Sequence, residues 1–298
     1  MEEHLAELKE LGEVVVYTDT TKANYAERLA GADVAVIDCF LAPINKEFLS
    51  NVPDLKFFSI NSTGFDNVDV AALKEVGVIA SDVPEFSTNA VAEHAIGLMF
   101  AAVRKITQGD CEFRAGLRVV DPGTPEADRF MGFDLVGKTL GVVGLGNIGT
   151  RIAAIGNGIG MKVVGYNRTK KTIPNVKTVS LEQLMGRADV VVIAMAFSDE
   201  TEGMISKELL AKMKTSAVLV NIARMGIVDE DALIQALNSE AIAGAGIDVG
   251  GDKYTQVKNA VLTPHIAYNI REASENMGRI IVENIKAYAA GQPVNVIQ

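Results

Sequence analysis

Apolar residues along the chain recur in two forms, short runs with little internal polarity and longer stretches in which apolar positions return every three to four residues. The runs predict strands at 14–17, 34–37, 57–60, 78–80, 140–143, 163–166, 190–194, 218–221 and 244–248. The periodic stretches predict helices, most clearly at 90–105, 147–158, 207–213, 229–237 and 272–289. Strands of this kind are buried on both faces, and their alternation with helices gives a parallel sheet covered on both sides. The chain opens in an amphipathic helix over 2–11, with Met1, Leu5, Leu8 and Leu11 on one face and His4 expected toward solvent.

Two punctuated stretches read as joints between domains, Ser81-Asp82-Val83-Pro84-Glu85-Phe86 and Thr263-Pro264-His265. Residues 110–137, with Pro122, Gly123 and Pro125, read as an irregular arm. The simplest organisation is discontinuous: residues 83–265 form a nucleotide domain inserted into a second domain built from 1–82 and 266–298.

Composition narrows this further. With 298 residues, 48% of them hydrophobic, the chain can bury the cores of two domains and is not disordered. Its longest apolar run, 190–197, is far below the ~20 residues of a membrane span. The start Met1-Glu2-Glu3 lacks the pattern of a secretory leader, so the expected location is the cytoplasm. Cys39 and Cys111 stand outside any CxxC or Cys/His array and are expected to be buried thiols, with no metal site. A net charge of −10 argues against a nucleic-acid partner.

The sharpest local motif is Gly144-Leu145-Gly146-Asn147-Ile148-Gly149, placed between a predicted strand and a predicted helix. In that setting Gly144 permits the turn, Gly146 lets backbone amides approach a pyrophosphate, and Gly149 lets helix and strand pack closely. Asn147 and Ile148 open the helix, whose N-terminus favours the phosphates. A site for NAD(H) would carry an acid at the end of the next strand, where it holds the ribose 2′-hydroxyl. Here that strand runs into Asn167-Arg168-Thr169-Lys170-Lys171, and residues 150–181 contain six bases and no acid. Arg168, Thr169 and the lysines suit a 2′-phosphate, so NADP(H) is the expected cofactor and NAD(H) the alternative.

Of three histidines, His94 lies mid-helix and reads as a structural, hydrogen-bonded residue. His265 follows a strand end and Pro264 at a joint, where α/β folds bind ligands, and its ordinary pKa suits the proton that accompanies hydride transfer. Arg224, in Asn221-Ile222-Ala223-Arg224, also follows a strand end and can take a carboxylate in bidentate fashion. Phe40, Phe65 and Tyr268 are candidates either for a pocket wall or for core.

These motifs, with Gly244-Ala245-Gly246-Ile247-Asp248-Val249, Thr263-Pro264-His265-Ile266-Ala267, Gly64-Phe65-Asp66-Asn67-Val68-Asp69 and Ala90-Val91-Ala92-Glu93-His94, resemble the D-2-hydroxyacid dehydrogenases over nearly the whole chain. The resemblance implies a Rossmann-type doubly wound parallel sheet inserted into a smaller flavodoxin-like substrate domain. It implies a 2-oxoacid or D-2-hydroxyacid substrate, with Arg224 as its anchor and His265 as the acid/base. Asp248 then corresponds to the aspartate near the nicotinamide, and Ala223 also falls among the cofactor-binding residues. The backbone amides of Ser62, Thr63 and Gly64 would receive the substrate carboxylate. A homodimer is also implied; in the sequence itself the only offered face is the apolar run 95–103.

Three departures stand out. The family's glutamate beyond the Asp-Val pair is absent, and Asp252 is the only acid before His265 that could replace it. Met225 takes the place of a glycine after the arginine, where it could narrow the pocket or require another backbone angle; Ala196 replaces a proline. The family's first strand is missing, which would leave unpaired backbone groups in the smaller sheet, at ~1–3 kcal/mol for each buried one. A nucleotide-binding relative with a decayed acid–base relay is therefore the alternative to a reductase.

Overall fold

The computed structural model describes residues 2–297, so Met1, assigned above to the first helix, lies outside it. Ten strands are present among the described residues: β1 (Val34–Ile37), β2 (Phe57–Ile60), β3 (Ile79–Ser81), β4 (Thr139–Val143), β5 (Lys162–Tyr166), β6 (Val176–Thr178), β7 (Val190–Ile193), β8 (Val218–Asn221), β9 (Gly244–Ile247) and β10 (Ala260–Leu262). The chain divides into two compact units, one of Thr88–Tyr268 and the other of the residues up to Ser87 and from Asn269 onward.

The larger unit holds a seven-stranded sheet in the order β10-β9-β8-β7-β4-β5-β6, every neighbouring pair parallel. From β4 the chain winds outward through β5 and β6, then returns to β7 and winds the other way. That reversal between β4 and β7 is the switch point at which doubly wound sheets bind ligands, beyond the strands' carboxyl ends. Leu184, Ile205, Leu233 and Ile247 lie in the apolar layer on one face. Met99, Leu140, Ile152 and Val192 lie in that on the other. Strands β6 and β10 escaped the sequence reading because each has three residues at a sheet edge, and β6 lacks an apolar run.

Helix Thr88–Val103 is strongly apolar and buries most of its surface in the core, with Glu93, Gly97 and Phe100 left on an exposed stripe. Within the run 95–103, Ala95, Ile96, Leu98, Met99, Ala102 and Val103 are buried in the larger unit, while Gly97 and Phe100 are exposed. A Cβ on Gly246 of β9 would stand 2.8 Å from the Leu98 Cβ, so only glycine admits the helix this close. The supposedly irregular arm contains helices Ile106–Arg114 and Pro125–Arg129, the latter capped by the Thr124 hydroxyl with Pro125 in its first turn. Cys39 is buried as expected, whereas Cys111 is exposed on the first of these helices.

The smaller unit holds a parallel three-stranded sheet in the order β1-β2-β3. Residues 14–17, expected as a strand, form none. An extended segment becomes a strand only when neighbours take up its N–H and C=O groups; this sheet begins at β1, and Val15 and Val16 remain 59% and 58% exposed. His4 is also corrected. It packs on helix Arg271–Ala289, where a Cβ at Gly278 would lie 2.5 Å from its ring. No helix of the described residues is long and apolar enough to cross a membrane.

Candidate active site

At the end of β4, Gly144 has φ +95°, and a Cβ there would meet the Ala194 carbonyl at 2.7 Å. A Cβ on Gly149 would lie 1.8 Å from the Gly144 carbonyl oxygen. Both glycines are thus required by the protein's own packing. Gly146 differs. It has extended backbone and nothing within 4 Å of its Cβ position, so the protein's own packing does not require glycine there. It is the N-cap of helix Asn147–Gly158 and, being glycine, contributes no side-chain cap. A glycine turn leading into a helix N-terminus fits a dinucleotide pyrophosphate.

The end of β5 lies beside this turn because β4 and β5 are neighbours. Asn167 ties the two loops together: its Oδ1 accepts the Leu145 N–H at 2.9 Å and its Nδ2 donates to the Thr169 carbonyl at 2.8 Å. Lys171 donates to the Leu145 carbonyl at 3.1 Å. Thr169 and Lys170 are exposed. Arg168 pairs with Glu200, an acid that the sequence reading did not consider because it lies 32 residues away.

At the end of β8, the Asn221 amide shapes the turn that presents Arg224, accepting from Ala223 N–H at 3.1 Å and donating to the Arg224 carbonyl at 3.1 Å. The Arg224 guanidinium donates to the Ala223 carbonyl at 3.1 Å. Met225 opens a short 3-10 helix, Met225–Ile227, with ordinary backbone, so its departure from glycine demands no special angle; its side chain is 41% exposed.

Asp248, just beyond β9, is the buried hub of the site. Its Oδ1 accepts the Thr263 hydroxyl at 2.5 Å and the Ile266 N–H at 3.0 Å, and its Oδ2 accepts the Ala267 N–H at 3.0 Å. Because the Thr263 proton goes to Asp248, the His94 Nε2–H, 2.9 Å from that hydroxyl, is the donor of the pair. These bonds hold His265 at φ +55°, a strained conformation for a non-glycine residue. The His265 ring meets Tyr268 edge-on, with centroids 5.7 Å apart. Burial, then the positive charge of Arg224, pushes the His265 imidazole below its ordinary pKa, with Asp248 opposing. Asp252 is exposed in the 3-10 helix Asp252–Gln256 and forms no hydrogen bond or ion pair with His265 among the described residues. The geometry therefore offers no relay through Asp252.

In the smaller unit, Ser62, Thr63 and Gly64 follow β2. The Ser62 hydroxyl donates to the Gly64 carbonyl at 2.7 Å and the Thr63 hydroxyl to the Val83 carbonyl at 2.6 Å. Both hydroxyls are thus engaged within the smaller unit, Ser62 inside the loop and Thr63 on a residue twenty positions away. Phe40 and Phe65 are 49% and 37% exposed and Tyr268 is 42% exposed, so none of the three is core.

Comparison with known proteins places this geometry. The family described as D-isomer specific 2-hydroxyacid dehydrogenase, NAD binding domain, matches residues 96–267. A glycerate dehydrogenase of Methylorubrum extorquens is 35% identical over 292 residues, covering 93% of this chain and 89% of that protein. A glyoxylate reductase of Pyrococcus furiosus is 35% identical over 268 residues, covering 87% of this chain and 80% of that protein. Among solved structures, an acyclic imino acid reductase in complex with NADPH and D-Arg superposes with a TM-score of 0.90 at 34% identity, covering 99% of this chain and 95% of that one. With its doubly wound sheet, glycine turn, Arg224 and His265, the chain belongs to the D-isomer specific 2-hydroxyacid dehydrogenases, oxidoreductases that use a nicotinamide nucleotide.

Proposed function

We propose that this protein is an NADPH-preferring reductase of a small 2-oxoacid. The carrying observation is the end of β5: Arg168, Thr169, Lys170 and Lys171 stand beside the glycine turn, and no acid occurs between residues 150 and 181. The larger unit holds the nucleotide through Gly144, Gly146, Asn147, Ile148 and Gly149, with Asn167, Arg168, Thr169 and Lys170 toward the 2′-phosphate and Ala223 and Asp248 toward the nicotinamide end. The bound nicotinamide supplies a hydride. Arg224 binds the substrate carboxylate and polarises the neighbouring carbonyl. His265 donates the proton that the carbonyl oxygen takes up. Asp248 positions His265 through the backbone it clamps, which answers the missing glutamate without Asp252. The smaller unit acts as the substrate domain, its amides at Ser62, Thr63 and Gly64 serving as anion donors. A homodimer is part of this reading, supported by apolar side chains left exposed between the two arm helices and around them: Ile106 at 56%, Phe113 at 54%, Val119 at 77% and Met131 at 69%.

The test is oxidation of NADPH and NADH with glyoxylate, hydroxypyruvate, pyruvate and branched 2-oxoacids. Turnover with a several-fold NADPH preference, shifted toward NADH by Arg168→Asp, is the expected result; nucleotide binding without turnover on any of them overturns it. The relatives are named as enzymes, so a relative without catalysis gains no support.

A second reading rests on the likeness to the NADPH-bound imino acid reductase. An iminium nitrogen already carries its proton, so the adjacent carbon accepts hydride without a general acid, which suits a site whose histidine is held below its ordinary pKa. Under this reading, adding ammonium or a primary amine to a 2-oxoacid assay raises the rate of NADPH oxidation; an unchanged rate excludes it.

A further inference from the structure

The Arg168–Glu200 pair spans the nucleotide site. Arg168 lies two residues beyond β5 and Glu200 seven beyond β7, and these strands flank β4, whose carboxyl end carries the glycine turn. Glu200 is presented by a built turn. The Thr201 hydroxyl accepts the Ser198 N–H at 2.8 Å and donates to the Ala196 carbonyl at 3.0 Å. The Thr201 and Glu202 amides both donate to the Ser198 carbonyl at 2.9 Å. The turn is anchored again where the Gly203 N–H donates to the Gly226 carbonyl at 2.8 Å. Both charged side chains are well exposed, 77% for Arg168 and 68% for Glu200, so the pair is solvated and opens at little cost.

We propose that Glu200 is a specificity-determining residue for the nucleotide: its carboxylate occupies Arg168 in the absence of cofactor and yields that guanidinium only to a ligand bearing a 2′-phosphate. A dianionic phosphate replaces a carboxylate on arginine with equal or better charge-assisted bonds, whereas a 2′-hydroxyl offers no charge to compete. Glu200 also repels the incoming phosphate until the pair has opened. Its presence therefore weakens binding of 2′-phosphorylated nucleotides by the strength of one exposed ion pair and leaves 2′-hydroxyl nucleotides unaffected. Of the loop's two other cations, Lys171 donates to the Leu145 carbonyl, and Lys170 is exposed and makes no ion pair among the described residues, so Lys170 adds to the phosphate's attraction without having to be released. This inference rests on the reading of the β5 end as a 2′-phosphate site.

The experiment is calorimetric titration of the full-length protein with adenosine 2′,5′-bisphosphate and with 5′-AMP, for the wild type, Glu200→Gln, Arg168→Ala and the double variant. Glu200→Gln is expected to tighten the bisphosphate about two- to fivefold, to leave 5′-AMP unchanged, and to lose its effect both in the Arg168→Ala background and at high salt. Equal changes for both ligands, or a gain that survives in the Arg168→Ala background, overturn it. If Arg168→Ala weakens the bisphosphate while Glu200→Gln changes nothing, the role of Glu200 fails and the phosphate site stands. If Arg168→Ala leaves both ligands unchanged, the phosphate site itself fails.

Discussion

The carbonyl of Asp248 accepts the backbone N–H of His265 at 2.7 Å, while the Asp248 carboxylate takes the N–H groups of Ile266 and Ala267 at 3.0 Å each. One buried residue thus fixes both sides of the histidine's strained backbone. Asp248→Ala leaves two backbone amides and the Thr263 hydroxyl without their acceptor, each buried orphan costing about 1–3 kcal/mol. The expected result is a Tm lowered by at least about 5 °C and a kcat reduced about a hundredfold. Thr263→Val, which removes one donor, should fold with a smaller loss. If Asp248→Asn folds and retains kcat within threefold, the clamp is not what positions His265.

The pH profile of reduction follows from His265. Its folded pKa lies below the usual value near 6.5, because of burial first and Arg224 second. The imidazolium is the proton donor, so kcat/KM for a 2-oxoacid should fall as pH rises through an apparent pKa below that value. Arg224→Gln removes the positive charge and should raise the His265 pKa, measured by NMR titration of its ring protons; a substrate-like carboxylate bound to Arg224 should do the same. Asp252→Asn should leave the rate and its pH profile unchanged, since Asp252 is exposed and unbonded to His265.

The three glycines of the turn should respond differently to alanine. Gly149→Ala puts a Cβ within 1.8 Å of backbone oxygen and Gly144→Ala within 2.7 Å at positive φ, so both should lower Tm. Gly146→Ala meets no protein atom within 4 Å and should fold with an unchanged Tm, yet bind nucleotide at least about tenfold more weakly. Differential scanning fluorimetry with and without NADPH separates the two kinds.

Asp82 contributes a stability term of unusual sign. Burial raises its folded pKa to about 6, above the 3.8 of an ordinary aspartate. A raised acid favours the fold when protonated: its contribution is fully present below pH 3.8 and lost as pH rises through 6. Asp82→Asn should therefore raise Tm at pH 8, by roughly 2–4 °C given its partial exposure, and change nothing below pH 4. The backbone bonds from Asn284 and to Asn295 are retained in the variant.

Much of the site was legible locally. The glycine turn, the helix it opens, the Asn221 turn before Arg224 and the basic loop after β5 each depend on residue types a few positions apart, and backbone geometry follows directly from those types. The strands that were missed, β6 and β10, are short edge pieces whose existence depends on a neighbour. Residues 14–17 show the converse, a strand-like run with no neighbour and therefore no strand.

The sequence by itself determined a doubly wound nucleotide domain, a glycine turn that opens a helix, an arginine and a histidine at strand ends, and a window of bases without acids. Tertiary structure alone decided what those charged groups meet. It brought Glu200 across β4 to Arg168, and it set His94 against Thr263, 169 residues apart, to complete the Asp248 clamp. It also turned Asp252 to solvent. Strand order and helix packing set the neighbours of a side chain whose partners lie far away in sequence, and no local pattern of residues encodes them.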